Sequence, residues 1–513
     1  MQHLGGTVLL PRVFNLVGVL GGTPPWIEVN SSARCNRGSM QLTQRLAANK
    51  AVHFMAIGSS VTGAHGGCTH GLNPVCPEHC GGECYKPARA GKGWLRKTVD
   101  WLAAVRNATH RAYNAGKGAT HMEHYSRCLD SYWPPVPIHV VVLEVTIFSA
   151  CRSGISHLEK LVRSLQMRSD PPAILFVRFH STWHVARGRR YGGLGRCDDR
   201  LHLLTRHYGL ASIFLADEST WPAEFGEHAQ QLLINGEGVH PNPTAGEQVM
   251  ALMTATALRE TEAAGASCNA APTAMPPPLF FGTDELISVG CYSFEDASLK
   301  KRSNLTKESE PEVFLNQGLL PPATVVARLD WEYVVELSAG RRKPGLVANL
   351  PGSVVDVQIV SSAWRTVSTQ GGGERALVAV LEYLVSYDLM GIAHISCHEA
   401  CVCEPREINA HAKLPKFSTH ASCMLNLTRN DGGIGGYGGG GGSGLPILDG
   451  SVAERSGNSL DATARDAELW RPANRSGSDR CIVRVALTNR TTSGQHKFKL
   501  VGLTVAARAL RRR

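Results

Sequence analysis

The stretch Ile138-His139-Val140-Val141-Val142-Leu143-Glu144-Val145 decides the fold class. It is apolar and largely β-branched without alternation, which suits a strand covered on both faces, as in a parallel sheet. Three further runs share this character: residues 52–57 (VHFMAI), stopped by Gly58, residues 173–179 (AILFVRF) and residues 211–215 (ASIFL). The sequence between them has helical spacing. Trp94, Leu95, Thr98, Trp101, Leu102 and Val105 fall on one helical face, and Ile155, Leu158, Leu161, Val162 and Leu165 on another. Thr244-Ala245-Gly246-Glu247 reads as a capping box, Thr244 capping and Glu247 reaching back, for a helix running to about Glu260. Strand–helix alternation of this kind predicts a parallel α/β sheet.

That pattern occupies residues 50–262, after an N-terminal segment 1–49. Residues 263–285 are rich in Ala and Pro, include Pro276-Pro277-Pro278, and read as a linker and domain boundary. From 286 to 513 the helical periodicity gives way to alternation, as in Cys481, Val483, Val485 and Leu487, with short apolar stretches at 354–359 and 376–387. This predicts a mostly-β, sandwich-like domain. The Gly-rich tract from Gly432 to Gly444 opens a polar segment, about 430–479, that reads as a flexible loop insertion. It lacks the Lys-Ser/Thr ending and strand–helix setting of a phosphate loop.

The chain has 513 residues, of which 43% are hydrophobic, enough for real cores and too many for a disordered chain. No apolar run reaches about eighteen residues, so no membrane-spanning helix is visible. The net charge of +10 is scattered, with one compact cluster at Arg511-Arg512-Arg513. Nucleic-acid binding calls for a dense basic face with interleaved aromatics, and none is present. Fifteen cysteines accompany six Asn-x-Ser/Thr sequons, at Asn30, Asn107, Asn304, Asn426, Asn474 and Asn489. Together they predict the secretory pathway or an extracellular location. The apolar residues 13–20 follow Pro11 and a thin basic region, a weak signal peptide or a truncated N-terminus. Eight cysteines precede the linker, Cys268 lies in it and six follow, so each domain is expected to form its own disulfides with Cys268 left over.

Ala56-Ile57-Gly58-Ser59-Ser60-Val61-Thr62 directly follows the first strand. A serine at the C-terminal edge of a parallel strand lies where α/β enzymes place reactive groups. Its hydroxyl needs a base, and Glu237-Gly238-Val239-His240-Pro241 offers one. His240 can take the proton of Ser60, and Glu237 can orient the imidazole and stabilise its charged form.

These segments resemble the motif blocks of the SGNH (GDSL-type) hydrolase superfamily, over about residues 51–261. The first block is similar, with Ser59 in place of the usual aspartate and Ser60 matching the nucleophile. Tyr113-Asn114-Ala115-Gly116-Lys117-Gly118-Ala119-Thr120 resembles the second block, whose glycine N–H helps form the oxyanion hole. Gly118 is the best match, and Gly116 is a register shift away. Glu237-Gly238-Val239-His240-Pro241-Asn242 is similar to the last block, with Glu for Asp. The Gly-Ser-Ser-Val turn followed by a cysteine-rich loop is also similar to secretory-pathway proteins of green algae and plants.

One departure stands out. Where the third block has its oxyanion-binding asparagine, this chain has Phe148, after Glu144-Val145-Thr146-Ile147. Losing such a donor costs about 10²–10³ in rate. The backbone N–H groups of Ser60 and Gly118 then carry the oxyanion, or Glu144 marks a variant site, or the domain is catalytically lapsed.

The resemblance implies a flavodoxin-like, three-layer α/β/α domain. It implies a cofactor-free serine esterase that removes O-acyl or acetyl groups from a carbohydrate or glycoconjugate. The alternatives are an O-acyltransferase on polysaccharide, using the same acyl-serine, and a lapsed glycan-binding module. His180 and Trp183, after the third strand, are candidate groove residues, although such positions often serve edge packing. Cys68, Cys76, Cys80 and Cys84, beside His65, His70 and His79, lack paired Cys-x2-Cys knuckles and read as disulfides rather than zinc ligands. Trp331, Trp364 and Tyr387 of the β domain are either core or sugar-stacking aromatics.

Overall fold

The computed structural model describes residues 27–30, 35–59, 61–62, 93–117, 120–146, 154–179, 194–215, 241, 245–268, 274–280, 286–294, 312–315, 320–338, 341–359, 375–413, 418–430 and 480–509. In chain order the α/β region contains β1 (Ile27–Asn30), α1 (Arg37–Ala47), β2 (His53–Ile57), α2 (Gly93–Arg106), β3 (Arg111–Asn114), α3 (Met122–Tyr132), β4 (Val140–Glu144), α4 (Gly154–Gln166), β5 (Ala173–Arg178), α5 (Leu194–Tyr208), β6 (Ala211–Leu215) and α6 (Ala245–Ala266). There follow β7 (Leu286–Ser293), β8 (Glu312–Phe314), β9 (Thr324–Leu329), β10 (Trp331–Ser338), β11 (Arg341–Ala348), β12 (Val354–Ile359), β13 (Arg375–Val385), β14 (Ile392–Glu399), β15 (Cys401–Val402), β16 (Arg406–Asn409), β17 (Thr419–Arg429), β18 (Cys481–Leu487) and β19 (Phe498–Ala509).

The first sheet has the order β1-β6-β5-β4-β2-β3-β8, parallel from β6 to β8, with β1 as an antiparallel edge. Its inner order, β3-β2-β4-β5-β6, is that of a flavodoxin-like sheet. The two-faced runs do what their lack of alternation predicts. Phe54, Ala56, Val140 and Val142 pack beneath α1, α2 and α6, while Met55, Ile57, Val141 and Leu143 pack beneath α3, α4 and α5. Helix α1 starts at a reciprocal cap: the Ser39 N–H donates to Asn36 Oδ1 (2.9 Å) and the Asn36 N–H to Ser39 Oγ (3.2 Å). On α2 the buried stripe ends at Leu102, and Val105 is 56% exposed.

The second region is a sandwich of two antiparallel sheets. One runs β10-β11-β19-β13-β17-β15, with β7 also paired to β19, and the other β16-β14-β18-β12-β9. Leu377, Ala379, Leu381, Leu425 and Val505 of the first face Val355, Val357, Ile395, Val483 and Val485 of the second in one core. Trp331 is buried in that core and Tyr387 is exposed; Trp364 lies outside the described residues.

Several expectations need correction. Helix α6 continues to Ala266, through the start of the expected linker, and Cys268 is bonded to Cys35 rather than left over. The later part of the linker is docked. Buried Glu159 accepts the backbone N–H groups of Leu279 (2.5 Å) and Phe280 (2.8 Å), and Arg163 and His207 donate to the carbonyls of Pro276 and Pro277. The chain beyond the linker returns to the first sheet, since β8 pairs in parallel with β3 and covers its open edge. Nor does each region keep its disulfides to itself: Cys128 of α3 is bonded to Cys291 of β7. Within the sandwich the pairs are Cys397–Cys403 and Cys401–Cys481, and Cys423 is a buried free thiol. Glu247 turns to Lys97 Nζ (2.8 Å) on α2, where an opposite charge offsets its burial; its proposed capping partner Thr244 lies outside the described residues. The Gly-rich insertion and the cysteines from Cys68 to Cys84 also lie outside them.

The Cys128–Cys291 bond spans 163 residues of sequence and ties α3 to the sandwich. A Cys128→Ser/Cys291→Ser double variant is expected to lose about 2–5 kcal/mol of stability. Calorimetry beside the wild type checks this; an unchanged Tm contradicts it.

Candidate active site

The flavodoxin-like order reverses between β2 and β4, and open α/β sheets place their sites in that crevice, beyond the C-terminal strand ends. The turn after β2 leaves its strand there. Gly58 fits because no side chain can: a Cβ would lie 2.8 Å from Glu144 Oε2 and collide with the Thr62 side chain.

Glu144, at the end of β4, is fully buried and grips the turn. Its Oε2 accepts the Ser59 N–H (3.3 Å), the Ser59 hydroxyl (3.4 Å) and the Thr62 hydroxyl (3.1 Å), and its Oε1 accepts the Thr146 N–H (2.6 Å). Burial pushes its carboxyl up from the usual range, and these hydrogen bonds oppose the push.

Asn114 closes the second side. This buried side chain, at the end of β3, donates from Nδ2 to the Thr62 carbonyl (2.7 Å) and to Glu312 Oε1 (2.9 Å) of β8, while its Oδ1 accepts the Gly116 N–H (2.9 Å). The Gly116 N–H is thus engaged by Asn114. Burial pushes the Glu312 carboxyl up to about 7, against the Asn114 hydrogen bond. The Lys117 N–H donates to the Gly58 carbonyl (3.1 Å). Tyr125 of α3 reaches in from below, its one hydroxyl proton shared between the carbonyls of Gly58 (2.8 Å) and Ala115 (2.7 Å). Trp94 of α2 donates from Nε1 to the Val61 carbonyl (3.2 Å).

Two loops are therefore tied together at the crevice: the turn that carries position 60 and the segment that leads to position 118. Ser60, Gly118, Phe148, His180, Trp183, Glu237 and His240 themselves lie outside the described residues. Ser59, Val61, Lys117, Phe179 and Pro241, which adjoin Ser60, Gly118, His180 and His240, are described, and the Phe179 N–H donates to Thr146 Oγ1 (2.9 Å) at the same sheet edge. Among the described residues no group of three or more His, Cys, Asp or Glu side chains is arranged to hold a metal ion.

Sequence reasoning missed Tyr125 and Glu312. Neither lies in a motif, and Glu312 comes from 198 positions beyond its partner. Asn114 stood within the second block, but its bridging role needed the fold.

No protein-family model and no curated protein matches this sequence. Among solved structures, the chain is similar to a two-domain esterase active on acetylated mannans, co-crystallised with mannopentaose. The TM-score is 0.50 at 15% identity, covering 95% of this chain and all of the other. It also matches an acetyl xylan esterase from Geobacillus stearothermophilus (TM-score 0.27, 16% identity, 41% of this chain and 94% of the other). A lipase from a goat rumen metagenome matches as well (TM-score 0.24, 11% identity, 40% and 97%). The whole-chain likeness is one of fold and extends through the sandwich.

Glu312 gives a pH signature. Its raised pKa makes the folded state hold this proton longer than the unfolded state. Its contribution to stability therefore falls as pH rises from about 4.5 through about 7. Glu312→Gln keeps the acceptor for Asn114 without the charge. Its Tm relative to the wild type is expected to rise between pH 5 and pH 8; a pH-independent difference contradicts the assignment.

Proposed function

We propose that this protein is an SGNH-type serine ester hydrolase that removes O-acyl groups, acetyl foremost, from a carbohydrate or glycoconjugate. The observation that carries the reading is the clamp of Glu144, Asn114 and Tyr125. It fixes the turn bearing position 60 against the segment leading to position 118, at the switch point of the sheet. Fixed geometry at such a crevice is what covalent catalysis by a serine needs.

In this mechanism the Ser60 oxygen attacks the acyl carbon while His240 takes its proton, oriented by Glu237. The oxyanion that forms is held by the backbone N–H groups of Ser60 and Gly118. Collapse breaks the ester bond, His240 protonates the departing sugar oxygen to give the free hydroxyl, and the acyl group stays on Ser60. Water, deprotonated by His240, then releases the carboxylic acid and restores the serine. His180 and Trp183 are the proposed substrate-binding residues.

Support for a carbohydrate ester comes from the two-domain architecture shared with an esterase active on acetylated mannans. The disulfides and the exposure of the sequon residues Asn107, Asn426 and Asn489 support a secretory or extracellular setting. Among the described residues no helix is long and apolar enough to cross a membrane.

Purified protein is expected to react with a fluorophosphonate at Ser60 and to release acetate from acetylated mannan. Ser60→Ala should abolish labelling and lower kcat by about 10⁴–10⁶-fold. Absence of Ser60-dependent labelling sinks the hydrolase and favours the lapsed binding module. Labelling with acetyl transfer to added oligosaccharide, in preference to hydrolysis, favours the transferase.

A further inference from the structure

Helix α3 lies between the two regions and presents a different face to each. Met122, Tyr125 and Leu129 join the core beneath the parallel sheet, while His124 and Cys128, four residues apart, meet the sandwich. At the sandwich side stands Glu382 of β13, a buried carboxylate with no part in the chemistry proposed above. Its Oε1 lies 2.7 Å from His124 Nδ1. Burial alone pushes its carboxyl up, but His124, Lys117 and His420 together hold it down at about 2. As a carboxylate it can only accept, so His124 donates from Nδ1. On the other side of the ring, His124 Nε2 lies 2.8 Å from the Tyr132 hydroxyl.

The sandwich is shaped for this contact. The β13–β19 pairing slips by one residue between Glu382 and Tyr383: Glu382 faces Gly502, and Tyr383 faces Leu500. Bulges of this kind re-aim a side chain. Gly502 leaves the space that the carboxylate occupies, since a Cβ there would lie 2.8 Å from Glu382 Oε2. Tyr132, held by His124, packs against Tyr125 with ring centroids 5.5 Å apart, and Tyr125 is the residue that ties the Gly58 and Ala115 carbonyls together. Around the same place Thr419 of β17 pairs with His121 (2.8 Å) and Ser422 donates to Glu123 Oε1 (3.3 Å).

We infer that Glu382 of the β-sandwich is a positioning residue of the esterase site, acting through His124 and Tyr132 to set helix α3 and thereby the Tyr125 bridge between the two active-site loops. The sandwich is then part of the hydrolase rather than an appended sugar-binding module. This inference rests on the serine hydrolase reading. A displacement near 1 Å at a reacting geometry costs on the order of 100-fold in rate, so loosening the bridge acts on kcat rather than on substrate binding.

The test uses the full chain and the hydrolysis of p-nitrophenyl acetate, with Tm measured for every variant. Glu382→Leu is expected to lower kcat about 10–100-fold with KM within about twofold. Glu382→Gln keeps an acceptor for His124 and should recover most of the loss. Tyr125→Phe, which deletes one oxygen, should show the same fall in kcat, and it decides the matter if Glu382→Leu does not fold. Folded Glu382→Leu with wild-type kcat, a Gln variant as slow as the Leu variant, or Tyr125→Phe with wild-type kcat each overturns the inference. Wild-type protein without Ser60-dependent turnover overturns the hydrolase reading instead, and the positioning role with it.

Discussion

One hydroxyl group holds the two halves of the candidate site in register. The Tyr125 hydroxyl shares its proton between the carbonyls of Gly58 and Ala115, which follow different strands and open different loops. Those carbonyls lie just past the ends of β2 and β3, and that of Gly58 also accepts the Lys117 N–H. A buried carbonyl without a partner is costly, so the hydroxyl meets the need of the Ala115 carbonyl and couples it to that of Gly58, and the geometry of the crevice depends on it. Burial keeps this phenol protonated, with its pKa pushed far up. The bridge is therefore constant across any ordinary pH.

The rest of the clamp obeys the same accounting. Glu144 is a buried carboxyl tolerable only because four donors converge on it. Asn114 uses both ends of its amide, joining Thr62, Gly116 and Glu312. Each group satisfies the others, so removing one strands several. This is a rigid shell of the kind a reactive serine requires, assembled from strand ends rather than from the loops themselves. The elements that carry it are drawn from distant sequence: β8 supplies Glu312, and the sandwich holds α3.

How much of this was legible depends on the range of each interaction. Residues 138–145 reveal a two-faced strand because burial on both sides imposes a local composition, and Val140–Glu144 is that strand. Alternation at Cys481, Val483, Val485 and Leu487 reveals a sandwich strand for the same local reason. Pairing between distant segments leaves no such mark. The run from 263 to 285 has the composition of a free linker, yet Glu159 captures its backbone and Cys268 meets Cys35. An even cysteine count on each side of that run suggested separate disulfide sets, but counting carries no information on distance, and Cys128 meets Cys291. In the turn itself, Ser59 stands where the resembled family has aspartate, and Glu144 supplies a carboxylate to that turn from the neighbouring strand. The residue was visible in sequence; its reach was not.

The crossing contacts also bear on why the chain has two regions. A module that only brought substrate closer would need a tether and a soft interface, and a long polar linker would serve it well. Here the connection is of the opposite kind. A disulfide, a returning strand, a docked proline segment and a buried carboxylate–histidine pair all join the α/β region to the later part of the chain. A buried carboxylate is a poor source of net stability, because its desolvation consumes most of what its contacts gain. What it does well is fix one arrangement, since any other leaves a charge unpaired in the interior. Its location beneath the Tyr125 bridge, opposite a bulge and a glycine that make room for it, places that specificity where the site geometry depends on it.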